Sequence, residues 1–329
     1  MPISSARASM LFAVLAAATV LSACSPSADT TRPHTDAAAP ATSQPTAAAQ
    51  SEDAGTFAIG NLSAIALRDG ALAFPNDNKV FGIGLTPGDV AAVLDAAGAP
   101  TDTLHLSIQP LLVKAADRVL LFDTGAGASF GADGGHLPAS LAAAGVDPGD
   151  ITDVFLSHAH GDHVGGLIDA QGKPAFPNAT IHLSEPEWAF LSGMDAETAE
   201  SVVIPRHAAL IAAVAARVDA FAPGAEILPG LVKAVEIAGH TPGHSGYLVS
   251  SGDDSLLYVG DAMHHFVVSV QQPAWPNGFD SDATTAAASR VALVERSAES
   301  GQRIHAVHFP FPGVGKIEKR GEGYVWVPE

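Results

Sequence analysis

Short apolar runs broken by turn residues recur through most of the chain. The runs Leu104 to Ile108, Arg118 to Phe122, Asp153 to Leu156, Thr180 to Leu183, Val232 to Ile237, Gly246 to Val249, Ser255 to Val259, Ile304 to Val307 and Tyr324 to Val327 are leucine-rich or β-branched and predict strands. Helical spacing appears at Pro87 to Ala97, Leu137 to Ala144, Pro186 to Leu191, His207 to Val218 and Asp282 to Ser300. The last of these is entered through an acidic cap after Phe279-Asp280-Ser281. Strands with helices interspersed predict an α/β domain. No second linker or repeat interrupts the pattern from Thr56 to Glu329, so one domain is expected there.

The pattern before Thr56 is different. Arg7 precedes an apolar run from Met10 to Leu21, too short for a comfortable membrane span and followed by small residues, which predicts an export signal over residues 1–23. Leu21-Ser22-Ala23-Cys24 resembles a bacterial lipobox, and Cys24 is the only cysteine, so no intramolecular disulfide can form. Lipidation at Cys24 is therefore expected, with the chain anchored to the bacterial cell envelope on its periplasmic side. Residues 24–55 are Ala, Thr, Ser, Pro and Gln with few large apolar side chains, and they read as a disordered tether to a domain at 56–329.

Charge narrows the partners. Sixteen Lys and Arg against thirty-five Asp and Glu give a net −19, which argues against nucleic acid and against an anionic membrane surface. The N-terminal lipid is the only membrane contact expected, and the remaining partner class is a small molecule.

Polar clusters follow the apolar runs: Asp123 after Phe122, His158 after Leu156, Asp261 after Val259, His308 after Val307. In α/β architectures the carboxyl ends of strands present loop residues to a common crevice. The densest cluster is Ser157 to Gly166, SHAHGDHVGG, whose H-x-H-x-D-H spacing lets one turn serve two adjacent metal positions. Zinc and similar ions accept imidazole nitrogen and carboxylate oxygen, but one loop cannot complete their coordination. Further donors stand in Gly239-His240-Thr241-Pro242-Gly243-His244, Gly260-Asp261 and His308-Phe309-Pro310.

H-x-H-x-D-H, G-H-T-P-G-H, a strand ending in G-D, a late histidine and Asp123-Thr124-Gly125 together resemble the metallo-β-lactamase-fold hydrolases, over essentially the whole domain. The resemblance implies an αββα sandwich and two divalent ions, zinc foremost, with manganese, iron and cobalt also compatible. It implies that His158, His160 and His240 hold one ion, that Asp162, His163 and His308 hold the other, and that Asp261 bridges them. A hydroxide shared by the ions is then the expected nucleophile, with Asp162 and Asp261 as the catalytic acids that steady charge or take a proton. Asp123 and His244 are expected to support the ligands from behind. His264 and His265 follow Asp261 closely enough to reach the crevice, with a plain loop role equally open. A homodimer is an expectation from relatives of the fold, marked by no stretch of this chain.

Asp123 to Gly131 (DTGAGASFG), the segment AFPNA from Ala175, FDSD from Phe279 and above all HFPFPGVG from His308 resemble the methyl parathion hydrolase branch, although Gly161 stands where that branch carries proline. That resemblance implies a neutral hydrophobic ester, lactone or organophosphate triester as substrate. Phe130, Trp188, Phe190 and Phe309 are candidates for an apolar pocket. A β-lactamase or thioester hydrolase is the alternative, disfavoured because no Lys or Arg sits beside the later ligand motifs until Lys316. A non-catalytic metal-binding lipoprotein is a third reading, weakened by a ligand set that leaves open metal positions.

Overall fold

The computed structural model describes residues 54–329. Cys24, the signal segment and the tether up to residue 53 lie outside the described residues. Two seven-stranded sheets form the centre. In spatial order the first holds Ala54–Ile59, Leu62–Leu67, Leu111–Ala115, Arg118–Phe122, Asp153–Phe155, Thr180–Ser184 and Val218–Phe221. The second holds Glu226–Leu228, Val232–Glu236, Ser245–Ser251, Asp254–Tyr258, Arg303–His305, Val314–Arg320 and Gly323–Pro328. The first described strand begins at Ala54, in the first sheet, so the fold takes in two residues that the composition assigned to the tether.

Side chains alternate across each strand, and in these sheets both faces are apolar, which is why the strands read as continuous hydrophobic runs. Leu120, Phe122 and Phe155 of the first sheet meet Tyr247, Val249, Leu256 and Tyr258 of the second. Phe122 stacks on Phe155 at 4.9 Å, and Tyr247 packs on both rings. Each such ring buried contributes about 1.5–3 kcal/mol. The residues between them point outward: Leu121, Val154, Ile181 and Leu183 pack under helices Leu137–Ala143, Glu185–Gly193 and His207–Val214. On the far side Leu257, Ile304 and Ile317 pack under Leu293 and Val294 of helix Ala283–Ser300. The layers run helix, sheet, sheet, helix.

A smaller cluster flanks this sandwich. The hairpin Gly70–Pro75 with Thr103–Ile108 packs Leu104 and Leu106 against Val90 and Leu94 of helix Pro87–Ala96 and against Phe81 and Val268. Thr86 and Asp89 cap that helix reciprocally. Helix His207–Val214 ends four residues before its expected limit, because Val218 enters a strand and pairs with Ile181. Among the described residues no helix is long and apolar enough to cross a membrane.

Two parallel pairings position the site. Phe122 aligns with Phe155, and Tyr258 with His305, so the chain leaves all four strands at one end of the sandwich. That end carries Asp123, the Ser157 to Gly166 loop, Asp261 and His308.

Candidate metal centre

Seven side chains converge there in two groups. His158, His160, His240 and Asp261 form one, and Asp162, His163 and His308 the other, each with ligand atoms within 4.8 Å of one another. In the first, His240 Nε2 lies 3.0 Å from His160 Nδ1, 3.1 Å from His158 Nε2 and 3.4 Å from Asp261 Oδ2. In the second, Asp162 Oδ2 lies 3.5 Å from His163 Nε2 and 3.6 Å from His308 Nε2. Asp261 joins the groups, because its Oδ1 lies 3.1 Å from His163 Nε2 and 3.0 Å from His308 Nε2.

The rear nitrogens fix the rings. His158 Nδ1 faces Ser157 Oγ, His163 Nδ1 Asp123 Oδ2, His240 Nδ1 Asp280 Oδ1, and His308 Nδ1 the Ser107 carbonyl, at 2.7 to 3.0 Å. With these partners at Nδ1, each ring would give that proton outward and turn a lone pair at Nε2 toward a bound ion. Asp123 also accepts from Ser157 N, Ser157 Oγ and Tyr258 Oη, each at 2.7 Å. The Tyr258 bond ties the two sheets together beneath the site. His244 donates from Nδ1 to the Ile237 carbonyl and accepts the Asp261 N–H at Nε2, which pins the carboxylate's backbone.

Electrostatics demand a cation. Burial, reinforced for His158 by the His163 charge, holds His158 and His240 well below the usual imidazole range, and burial takes His160 down to about 3. Three neutral imidazoles with lone pairs about 3 Å apart repel unless something positive lies between them. In the second group burial opposes a charge on His163, but Asp261, Asp162 and Asp123 outweigh it and push the ring well above that range. Among the described residues His163 Nε2 and Asp261 Oδ1 have no hydrogen-bond partner, although both are buried. Imidazole and carboxylate donors in this number, with orphaned inward atoms, fit two divalent ions.

Three supporting residues carry no signal in the motifs. Glu187, fully buried in the first turn of helix Glu185–Gly193, accepts from Ala159 N at 2.7 Å and from Thr241 Oγ1 and Gly243 N at 2.8 Å. It thereby ties the H-A-H loop to the H-T-P-G loop. An acid in a first helical turn reads in sequence only as a favourable end charge. Asp69 accepts from Ala126 N, Gly135 N and Leu137 N and shapes the loop after D-T-G. Arg290 reaches behind His240 through Asp280 and donates to the Pro273 and Trp275 carbonyls. A cation distant in sequence thus stands at the site's back, already engaged.

The pocket aromatics separate. Phe309 is a correction: it is fully buried against Trp326 under the second sheet, where the turn after His308 needs an apolar anchor. Trp188 and Phe190 are half-buried and pack on the first sheet's outer core. Phe130 is half-exposed in the loop after D-T-G. The rings that do touch the cluster are Phe81 and Phe279, both against His264.

The sequence matches the metallo-beta-lactamase superfamily over residues 107–299, more than half of the chain. Among curated proteins, a ribonuclease Z of Salinibacter ruber is 38% identical over 79 residues, 24% of this chain and 21% of its own length. The protein YobT of Bacillus subtilis is 30% identical over 112 residues, 34% of this chain and 46% of its own. The chain therefore spans less than half the length of either relative. Solved structures match more fully. AidC, a dizinc quorum-quenching lactonase bound to N-hexanoyl-L-homoserine as product, superposes with a TM-score of 0.77 at 30% identity, covering 84% of this chain and 97% of its own. The hydrolase AbOPH superposes with a TM-score of 0.75 at 27% identity over the same shares. Sandwich, ordered motifs and matched length agree, and the chain belongs to the metallo-beta-lactamase superfamily as a metal-dependent hydrolase.

Proposed function

We propose that this chain opens acyl lactones, and cleaves related neutral esters or phosphotriesters, at a dinuclear centre. The observation that carries the reading is Asp261, whose two oxygens each face a separate group of ligands. His158, His160 and His240 would hold one ion and Asp162, His163 and His308 the other, with Asp261 between the two groups. Two divalent ions so placed supply Lewis acidity and lower the pKa of water. Zinc is the proposed metal, by likeness to the dizinc lactonase.

The chain's own residues do the rest. Asp123, Asp280, Ser157 and the Ser107 carbonyl hold the imidazoles in one tautomer and one orientation. His160 and Asp162 are the ligands that are only half-buried, so substrate enters on their side. Burial opposes the charge on Asp162, but His163 and His308 outweigh it and keep it a carboxylate, so it would receive the proton that the attacking water gives up and pass it to the departing alkoxide. Arg290 is occupied by Asp280 and backbone carbonyls, which favours a neutral substrate over the anionic β-lactams and supports lactone as the first choice. HFPFPGVG after His308 supports the methyl parathion hydrolase branch, and Leu21-Ser22-Ala23-Cys24 supports a lipid-anchored periplasmic enzyme.

The test is a hydrolysis panel on the full chain, zinc-loaded and chelated in parallel, with an acyl lactone, a phenyl ester, a phosphotriester, a thioester and a β-lactam. Chelator-sensitive turnover led by the lactone is expected. Preference for the β-lactam or the thioester overturns the substrate assignment.

A further inference from the structure

His308 rides on a turn that is held by a strand outside both central sheets. Strand Thr103–Ile108 pairs with Gly70–Pro75 in the flanking hairpin, and its end meets the turn from Ala306 to Gly313. Ser107 N donates to the His308 carbonyl at 3.1 Å, and the Ser107 carbonyl accepts from His308 Nδ1 at 2.7 Å. Gln109 comes two residues later and is fully buried. Its Nε2 donates to the Ala306 carbonyl at 3.0 Å and to the Phe309 carbonyl at 2.8 Å. Those carbonyls stand on either side of His308, so one amide grips both arms of the turn. The turn also closes on itself, with Phe309 N donating to the Ala306 carbonyl and Gly313 N to the Pro310 carbonyl. A Cβ on Gly313 would overlap the Gln109 amide nitrogen, which accounts for the first glycine of HFPFPGVG, held at φ 72°.

We infer that Gln109 is a positioning residue of the metal centre, setting the turn so that His308 completes the group it forms with Asp162 and His163. The inference rests on the dinuclear reading above and adds a residue to it. His308 lies three residues beyond strand Arg303–His305 of the second sheet, whereas Asp162 and His163 belong to a loop that follows a strand of the first. The turn's internal bonds fix its shape but not its placement against that loop. Ligand atoms need to be held within about 0.5 Å of the working geometry. A turn held at Ser107 alone can rock about that one pair of bonds, and the donors to residues 306 and 309 stop the rocking. Gln109 reaches neither ion nor substrate itself, so it acts through His308.

The experiment titrates zinc on the full chain against a competing chelator, in the parent and in Gln109→Met and Gln109→Glu, which keep the side chain's length without its N–H donors. The parent should bind two equivalents. In both variants one equivalent should keep the parent's affinity while the other weakens about 10- to 100-fold. Cobalt(II) in place of zinc shows which group empties: the spectrum of the one-equivalent Gln109→Met form should match that of His308→Ala. In a His308→Ala background, where the ligand is already gone, adding Gln109→Met should leave the remaining equivalent unchanged. Gln109→Asn, which keeps the donors on a shorter arm, should fall between parent and methionine, and it carries the test should the methionine variant fail to fold. An amide that serves the fold alone disturbs both groups alike. Equal weakening of both equivalents, a cobalt spectrum unlike that of His308→Ala, or parent-like affinity in the variants therefore overturns the inference. A parent that holds two equivalents yet hydrolyses none of the substrate panel removes the substrate assignment and leaves this inference standing, whereas a parent that holds fewer than two overturns both.

Discussion

Asp123 Oδ2 takes three donors at once, His163 Nδ1, Ser157 Oγ and Tyr258 Oη, each at 2.7 Å. The carboxylate therefore orients a metal-facing imidazole of the first sheet through a tyrosine of the second. Its backbone is held at φ 58°, in the left-handed region that few residues other than glycine adopt, which aims the side chain under His163. Asp123→Asn offers one oxygen and one amide to a site built of donors, so at least one N–H or O–H loses its acceptor. Folding stability should drop by at least about 2 kcal/mol. Affinity of the Asp162, His163 and His308 group for metal should fall about 10- to 100-fold. Urea denaturation and zinc competition measure the two effects, and parent-like values for both would remove Asp123 from this role.

Glu187 is the corresponding tie for the other group. Burial pushes its carboxyl up to about 7, against three donated hydrogen bonds from Thr241, Ala159 and Gly243. Glu187→Gln keeps the shape but places an amide against at least one buried N–H, with an expected cost of about 1–3 kcal/mol. Because the loops it joins carry His158, His160 and His240, zinc should leave this group first on titration with a chelator. Simultaneous loss from both groups would show that Glu187 does not act on these loops in particular.

What the sequence made legible follows from chemistry concentrated in short spans. The ligand loop Ser157 to Gly166, His240, Asp261 and His308 are adjacent to strands whose apolar runs are unmistakable, so both their types and their positions at strand ends could be read. Strands without such runs were missed. Ala54–Ile59 and Leu62–Leu67 are alanine-rich, and Val314–Arg320 alternates apolar with charged residues at the edge of a sheet. Glu187 and Asp280 were illegible as site residues for another reason. Their partners are 28 residues or more away in Glu187's case and 40 for Asp280 with His240, so only the folded register brings them together. His264 was visible as a histidine near Asp261, and the fold buries it beside that carboxylate, with Nε2 3.1 Å from Oδ2.

Gly161 tests the one departure noticed within the ligand loop. A Cβ at this position would overlap the Val203 carbonyl oxygen, and the Gly161 N–H donates to Val202 at 2.8 Å. Val203 itself sits at φ 60°, a strained conformation for a β-branched residue. Gly161→Ala should destabilise the chain by about 1–3 kcal/mol through overpacking. Gly161→Pro should cost more, since it also removes the donor. Adding Val203→Gly, which relaxes the opposing loop, should recover part of the alanine loss. Thermal midpoints of the singles and the double decide it, and strict additivity would mean the two positions are not in contact.

His305 gives the sharpest pH dependence outside the metal ligands. It is fully buried, stacked on Tyr258 at 5.3 Å and 11°, and neither ring nitrogen has a hydrogen-bond partner among the described residues. Burial lowers its pKa to about 3 from an ordinary 6.5. Below pH 6.5 the unfolded chain therefore takes up a proton that the folded chain refuses. The stability associated with the neutral ring is complete above pH 6.5 and drains away as pH falls toward 3, by on the order of 4 kcal/mol across the whole window. His305→Phe keeps the stack on Tyr258 and has nothing to protonate, so it should match or exceed the parent at pH 7.5. Its advantage should widen steadily at pH 5.5 and 4.5. Urea midpoints of parent and variant at the three pH values isolate this difference, because the ligand histidines titrate alike in both. Parallel curves would show that His305 finds a proton acceptor in the folded chain.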